Sequence, residues 1–372
     1  MRIVFVALLL QLQLIVFASL GDPRGIVFVR ENYFGLDLLD FINAANDWLR
    51  GFNPYERLRF VTPPPTLIVG LVFHKLSLVS ANIAFLLVNL VAVFASVWMV
   101  CGYFRMRRSS RLLMMAITSL YYPFMFLLER GNLDGIMLLL ICSAIVVRNR
   151  TAIAILLAIS IVFKVYSLVL ALVIFTARRF SVIVAVIVFS ALFVLPFHSL
   201  LHPYIAVALG RTQQFTAVEN LSPAVILGSL CKHMLGKIIF VSLWLMTLLS
   251  ACWRHRELPI EERLIVCFPW MAAFPLQVYP YSGVLLLPVL VWQLGSTYLV
   301  ENLRARWVFL VGFILVGTQQ GALNEYFQWA VRSHRFFPLL NVIGMICVLT
   351  SLAFFSTVGD CSPHSIPATT SV

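Results

Sequence analysis

Three places in this chain put ionisable side chains where an apolar sequence has no structural need of them. Asp37 stands in Gly35-Leu36-Asp37-Leu38-Leu39-Asp40, immediately ahead of a helical pattern. The run Glu129-Arg130-Gly131-Asn132-Leu133-Asp134 is wedged between Phe124-Met125-Phe126-Leu127-Leu128 and the apolar stretch Ile136 to Ile141. Lys164, in Ile161-Val162-Phe163-Lys164-Val165-Tyr166-Ser167, interrupts a long apolar run, and lysine is otherwise confined to Lys75, Lys232 and Lys237. A charge within a membrane helix costs several kcal/mol, so each is a functional candidate. A carboxylate held at a helix start suits general-base work, and a lysine at low dielectric suits an anionic phosphate.

Each place also has a plainer reading. Asp37 at a helix start serves equally as an N-cap for free amides. Glu129 and Arg130 read as a paired loop capping the next helix, and Lys164 as a residue that snorkels at a helix boundary. Weaker signals are Glu219-Asn220-Leu221-Ser222-Pro223, Tyr279-Pro280-Tyr281-Ser282-Gly283 and the pair His198/His202. The histidines read as structural, because no further ligand accompanies them at metal spacing. The seven cysteines form no CxxC pair and lie mostly in apolar stretches, which assigns them no metal or redox role. There is no P-loop, GxSxG or HExxH motif, which sets aside nucleotide hydrolysis and the common hydrolase chemistries.

The elements that must position these residues are membrane helices. Of 372 residues 61% are hydrophobic and only 11% charged, against roughly 25% charged in soluble domains. A bilayer core needs roughly 20 apolar residues per helix. Spans are predicted near 64–79, 82–104, 112–128, 132–148, 152–163, 165–177, 180–198, 238–253, 260–275, 281–299, 306–322 and 336–356. The expected fold is therefore an all-α polytopic transmembrane bundle of roughly ten to thirteen helices, several of them short or re-entrant. It forms one domain over 1–357, with an uncleaved first helix from Ile3 to Leu20 and a disordered Ser/Pro/Thr-rich tail over 358–372.

The first outer loop, 21–62, carries six of the fifteen acidic residues and so belongs in water. Within it Leu38, Ile42, Ala45 and Leu49 share one helical face, while Asp40, Asn43, Asp47 and Arg50 share another, and Gly51-Phe52-Asn53-Pro54 ends the helix. The pattern predicts an amphipathic helix on the membrane surface.

The net charge of +12 comes from arginines in short runs between apolar stretches: Arg105 to Arg111, Arg148/Arg150, Arg178/Arg179, Arg254 to Arg263 and Arg304/Arg306. Such runs record membrane topology or headgroup contacts, whereas nucleic acid would need one contiguous basic face, so no nucleic acid partner is expected. Two crossings before Arg105 would place that run outside. Either 64–79 is re-entrant, or the run binds something anionic.

Five stretches, in consistent order over residues 1–290, resemble the GT-C type of polytopic glycosyltransferases, in particular glycosyltransferase family 87 and the related mannosyltransferases of lipid-anchor synthesis. Asp37, followed by Phe41, Ala44, Ala45, Leu49, Gly51 and Asn53-Pro54-Tyr55, is similar to the family's first outer loop. Thr62-Pro63-Pro64-Pro65 resembles its Tyr-x-Pro-Pro step, without the tyrosine. Arg130-Gly131-Asn132-Leu133-Asp134 and Phe163-Lys164-Val165-Tyr166 are similar to the arginine-glycine-asparagine and lysine-x-tyrosine motifs, the second lacking the proline that often follows. Asn220-Leu221-Ser222 and Tyr279 to Gly283 resemble the later asparagine-serine and serine/proline motifs.

The resemblance implies an inverting transferase that takes a hexose, mannose by family habit, from a polyprenyl-phosphate donor to a lipid or glycan acceptor. It implies a multi-pass protein of the plasma (inner) membrane, in contact with membrane lipids, with its active site on the outer side. Asp37 would be the general base, and Lys164 with Arg130 would hold the donor phosphate. Asp40, Asn132, Asp134, Tyr166, Asn220, Tyr281 and Ser282 are candidate substrate-binding residues. Some relatives carry an aspartate two positions before the one matching Asp37; Gly35 stands there, and no cofactor or obligatory metal is expected. The competing function is a transporter or flippase of a lipid-linked saccharide, but such a carrier should hold its ionisable residues near the bilayer midplane and show repeated halves, which this chain does not. A membrane scaffold with no ligand leaves Lys164 and the acidic loop unexplained.

Overall fold

The computed structural model describes residues 35–56, 60, 62–147, 149–177, 179–211, 234–273, 280–295, 303–316 and 336–355. The expected first helix, Ile3 to Leu20, and the tail from 358 lie outside them. Every regular element among the described residues is helical. Apolar surroundings dictate this, since a backbone without water must close its hydrogen bonds within its own segment.

In chain order the helices are α1 (Leu36–Leu49), α2 (Leu67–Phe73, entered through a 3-10 turn at Pro64–Thr66), α3 (Leu78–Tyr103), α4 (Arg108–Leu120), α5 (Tyr122–Arg130), α6 (Asp134–Val146), α7 (Arg150–Phe163) and α8 (Leu168–Thr176). There follow α9 (Phe180–Val194), α10 (His198–Arg211), α11 (Met234–Arg254), α12 (Ile260–Val266), α13 (Phe268–Ala272), α14 (Leu287–Gly295), α15 (Leu303–Val316) and α16 (Phe336–Thr350). Among the described residues, two segments are long and apolar enough to cross a membrane unaided: α3, with 26 residues, and the 29-residue run Phe180–Ala208 through α9 and α10. A third arises if α4 and α5, bent by 58° at their junction, count as one broken span.

Most of the other predicted spans are apolar helices of 10–17 residues, because the sequence breaks them. Pro123 and Pro269 fall at the first positions of α5 and α13. There a missing N–H costs nothing, but the ring prevents the preceding helix from continuing. The stretch around Lys164 breaks without proline: Lys164 takes an extended conformation, φ −142° and ψ 108°, between α7 and a 3-10 turn at Val165–Ser167. The Ser160 hydroxyl bonds to that of Ser167 across the break at 2.7 Å, so the buried polar groups it creates are satisfied locally.

The helix predicted in the first outer loop is α1. Its apolar face finds its partner in protein where the sequence pattern pointed to membrane: Leu38, Phe41, Ile42 and Ala45 are buried, and only Leu49 at the end is exposed. The reason is Gly70 of α2. A Cβ there would collide with the Phe41 carbonyl and stand 2.7 Å from the Ala45 methyl, so only glycine lets the two helices touch backbone to side chain. Gly51, at φ 81°, turns the chain away after α1. Tyr55 then packs against Phe60 and Tyr204 and donates to the Thr62 carbonyl at 2.8 Å, with its hydroxyl's pKa pushed up by burial. These side chains form a small core with Phe85 and Leu133, separate from the large core of the bundle.

The ten apolar residues from Pro64 to Phe73 reach only about half of a bilayer core. Phe73 meets Phe85 near the start of α3, with ring centroids 5.5 Å apart. Asn82 of α3 in turn lies against Gly35 at the start of α1. The end of this segment and the start of α1 thus both lie against the first turns of α3. The remaining helices run between two ends. Gly35, Arg130, Asn132, Lys164 and Ser282 collect at one. Arg105 to Arg111, Arg150, Arg179, Arg254 to Arg263 and Arg306 collect at the other, as the Arg263–Thr176 bond and the contact of Gly295 with Phe104 show.

Candidate active site

Asp37 occupies the second position of α1, and Gly35, in the left-handed conformation (φ 76°), precedes the helix without any side-chain cap. The Asp37 carboxylate is therefore not spent on capping. It points to the corner between α5 and α6. There Gly131, also left-handed at φ 63°, ends α5, and a Cβ on it would come within 3.1 Å of Leu38 and 3.3 Å of the Gly35 Cα. The Gly35 N–H donates to the Glu129 carbonyl at 2.7 Å and locks the two corners together.

Asp37 Oδ1 accepts from Arg130 Nε at 3.2 Å and Nη2 at 3.1 Å, while Oδ2 accepts from Asn132 Nδ2 at 2.6 Å. The expected pairing of Arg130 with its neighbour Glu129 gives way to this contact, because adjacent residues on a helix do not face each other. The other atom of the Asn132 amide, Oδ1, accepts from Lys164 Nζ at 3.1 Å and from the Asp134 backbone N–H at 3.2 Å. Lys164 Nζ also pairs with Asp134 Oδ1 at 3.2 Å. Asp134 is wholly buried, and accepts from Tyr166 Oη at 2.9 Å and Ser282 Oγ at 2.7 Å. Those donors are what make a buried carboxylate tolerable: an ion pair alone seldom repays its desolvation, and additional hydrogen bonds are needed.

Seven of the ten residues singled out in the sequence thus form one continuous network: Asp37, Arg130, Asn132, Asp134, Lys164, Tyr166 and Ser282. They come from α1, the α5–α6 corner, the break after α7 and the 3-10 turn Pro280–Leu286. Asp40 sits one turn further along α1, half-buried, and the bonds just described do not involve it. Tyr281 lies on the same 3-10 turn as Ser282, while Asn220 and Tyr279 fall outside the described residues. His198 bonds back to the Leu195 carbonyl at 3.1 Å, as a structural histidine does.

Two residues matter that sequence reasoning passed over. Gly35 stands where some relatives carry an aspartate; a Cβ there would overlap the end of the Asn82 side chain, which would have to shift, and its φ of 76° favours glycine. Glu129 is 9% exposed, and its Oε2 has no hydrogen-bond partner among the described residues. The sequence signal for Glu129 was present in its motif, but the pairing with Arg130 seemed to account for it.

Chemically, the network offers an acceptor carboxylate, one cation (Arg130) paired directly with it and a second (Lys164) one amide away, each 14–19% exposed. This suits a reaction in which a hydroxyl loses a proton at one end while negative charge develops at the other. A family model, that of glycosyltransferase family 87, matches residues 60–316, more than half of the chain. The matched region contains Arg130, Asn132, Asp134, Lys164, Tyr166 and Ser282 and begins after Asp37. No curated protein matches the chain.

Proposed function

The chain belongs to glycosyltransferase family 87, and from that premise we propose that it moves a hexose, mannose in our reading, from a polyprenyl-phosphate donor to a lipid or glycan acceptor, with inversion at the anomeric carbon. The observation that carries the reading is the shared amide: Asn132 holds Asp37 through one atom and Lys164 through the other.

In this reading the donor's anomeric carbon sits between the two. Asp37 takes the proton of the acceptor hydroxyl as its oxygen attacks. The bond between the anomeric carbon and the phosphate oxygen breaks on the opposite side, and the electron pair leaves with the phosphate. Lys164 offsets that charge, and the low dielectric makes the contact worth more than in water; Arg130, which pairs with Asp37, stands on the base's side. Tyr166 and Ser282 hold Asp134, and Asp134 holds the lysine, so the cation is placed before the donor arrives.

The arginine runs support one orientation: on the rule that basic loops mark the cytoplasmic side, the opposite end, and with it the Asp37 network, faces the outer side in this reading. The family resemblance is what supports the plasma (inner) membrane, with the donor lipid entering from the bilayer.

The test uses purified protein in nanodiscs, radiolabelled polyprenyl-phosphate mannose and membrane lipids. A labelled product with inverted anomeric configuration is expected. Transfer from a nucleotide sugar with none from the polyprenyl phosphate would overturn the donor assignment.

A further inference from the structure

Glu129 is a buried carboxyl group beside the network that the mechanism above leaves unused. It lies in the last turn of α5, 9% exposed, with Oε2 lacking a hydrogen-bond partner among the described residues. A buried carboxyl oxygen without a partner costs free energy as any orphaned buried polar atom does, and natural proteins rarely keep one without a use. Apolar packing does not require a glutamate here either, because Leu127 and Leu128 of the same turn already fill the core.

Its position says what would complete it. The Glu129 carbonyl accepts from the Gly35 N–H, two residues ahead of Asp37, and its carboxyl feels the charges of Arg130 and Asp37. The bonded network runs from Arg130 through Asp37 to Asn132, then Lys164, and Glu129 adjoins its Arg130–Asp37 end through the chain and through the Gly35 contact. Glu129 is thus at the Asp37 end, away from the lysine that takes the phosphate. What arrives at that end is the acceptor, and its chemistry is a hydroxyl. A carboxyl oxygen accepts directly from such a hydroxyl.

Resting on the transferase reading, we propose that Glu129 is an acceptor-binding residue: it takes a hydrogen bond from a hydroxyl adjacent to the one that Asp37 deprotonates. The acceptor class is then a vicinal diol, as on a sugar or polyol headgroup, rather than an isolated alcohol. The two carboxyl groups divide the work, Glu129 holding the acceptor's orientation and Asp37 removing its proton.

The test measures transfer from polyprenyl-phosphate mannose to octyl mannoside and to its mono-deoxy analogues, each lacking one hydroxyl, in wild type, Glu129→Gln and Glu129→Ala. Loss of a hydrogen bond to this buried carboxyl group predicts that Glu129→Ala raises the acceptor KM by roughly threefold to tenfold while the donor KM stays unchanged. One deoxy analogue should show the same rise in wild type and no further rise in the variant. Glu129→Gln, which keeps the shape, should fall between the two. An equal loss on every analogue, a rise in donor KM alone, or wild-type kinetics in Glu129→Ala would overturn the assignment. Wild type transferring to no member of the panel, nor to total membrane lipid, would instead remove the transferase reading and this one with it.

Discussion

Asn132 donates its Nδ2–H to Asp37 Oδ2 over 2.6 Å, the shortest bond Asp37 makes in the network. The same amide accepts from Lys164 on its far side, so rotation of one side chain would misplace both reactive ends together.

This predicts the behaviour of Asn132→Ala. Losing a hydrogen bond to a charged group costs about 1.5–3 kcal/mol, which in kcat/KM is a fall of roughly tenfold to a hundredfold. Donor and acceptor binding should both weaken, since each end loses its positioning contact. Steady-state kinetics varying each substrate in turn would show it, and a defect confined to one substrate would break the link.

Lys164 and Asp134 should separate stability from donor binding. Lys164→Met leaves Asp134, which is wholly buried, without its cation, a kind of change that costs about 3–5 kcal/mol. Adding Asp134→Asn removes the stranded charge. The double variant is expected to recover thermal stability in detergent while donor binding stays lost. Recovery of both would mean that Lys164 serves only the fold.

Two left-handed glycines near Asp37 make a matched pair. Gly35→Ala must accept a φ of 76° and a collision with Asn82, whereas Gly51→Ala, at φ 81°, meets nothing within 4 Å. Gly51→Ala should cost about 1 kcal/mol, the backbone penalty alone. Gly35→Ala should cost more than that and lower turnover too, because Gly35 anchors the start of α1 against Glu129. Thermal midpoints of the two variants side by side decide it; equal losses would count against the close approach.

How far the sequence foretold this depends on what each residue answers to. Lys164, Asp37, Arg130 and Asn132 stood out because a membrane chain has little reason to carry them, and that argument needs no partner. Their pairing was not legible. Arg130 looked bound to Glu129 because the two are adjacent, and only the left-handed turns at Gly35 and Gly131 bring Asp37 within its reach. The face pattern of α1 gave the helix and its buried side, but an apolar face reads the same against lipid as against protein, and Gly70, twenty residues beyond α1, decides between them. Asp47 is buried for the same reason: α1 is covered on more than the one face its periodicity implied.

His255, just past α11 at the arginine end, gives a pH prediction. It is buried, and its Nε2 bonds to the Leu352 carbonyl at 3.1 Å. Burial above all, with the nearby charges of Arg254 and Arg263, lowers its pKa from 6.5 to about 4, although the Leu352 bond opposes the shift. The unfolded chain therefore binds the extra proton between those two values and the folded one does not, so stability rises with pH across that window. Its contribution should be complete above pH 6.5 and fall away as the pH drops toward about 4, with a total on the order of 3 kcal/mol. In His255→Gln, which keeps a donor for Leu352 but does not titrate, the difference in thermal midpoint between pH 7 and pH 5 should shrink. An unchanged difference would assign the dependence to other groups.

The central claim is that Asp37 removes the acceptor's proton, and the most direct measurement is transfer of radiolabelled mannose from polyprenyl-phosphate mannose by wild type and Asp37→Asn in nanodiscs, with thermal midpoints recorded on the same preparations. The asparagine keeps an oxygen for Arg130 or Asn132 but is no base at neutral pH. The account predicts product from wild type, loss of transfer by about a hundredfold or more in the variant, and nearly unchanged membrane insertion and thermal stability. Turnover retained in Asp37→Asn would contradict it.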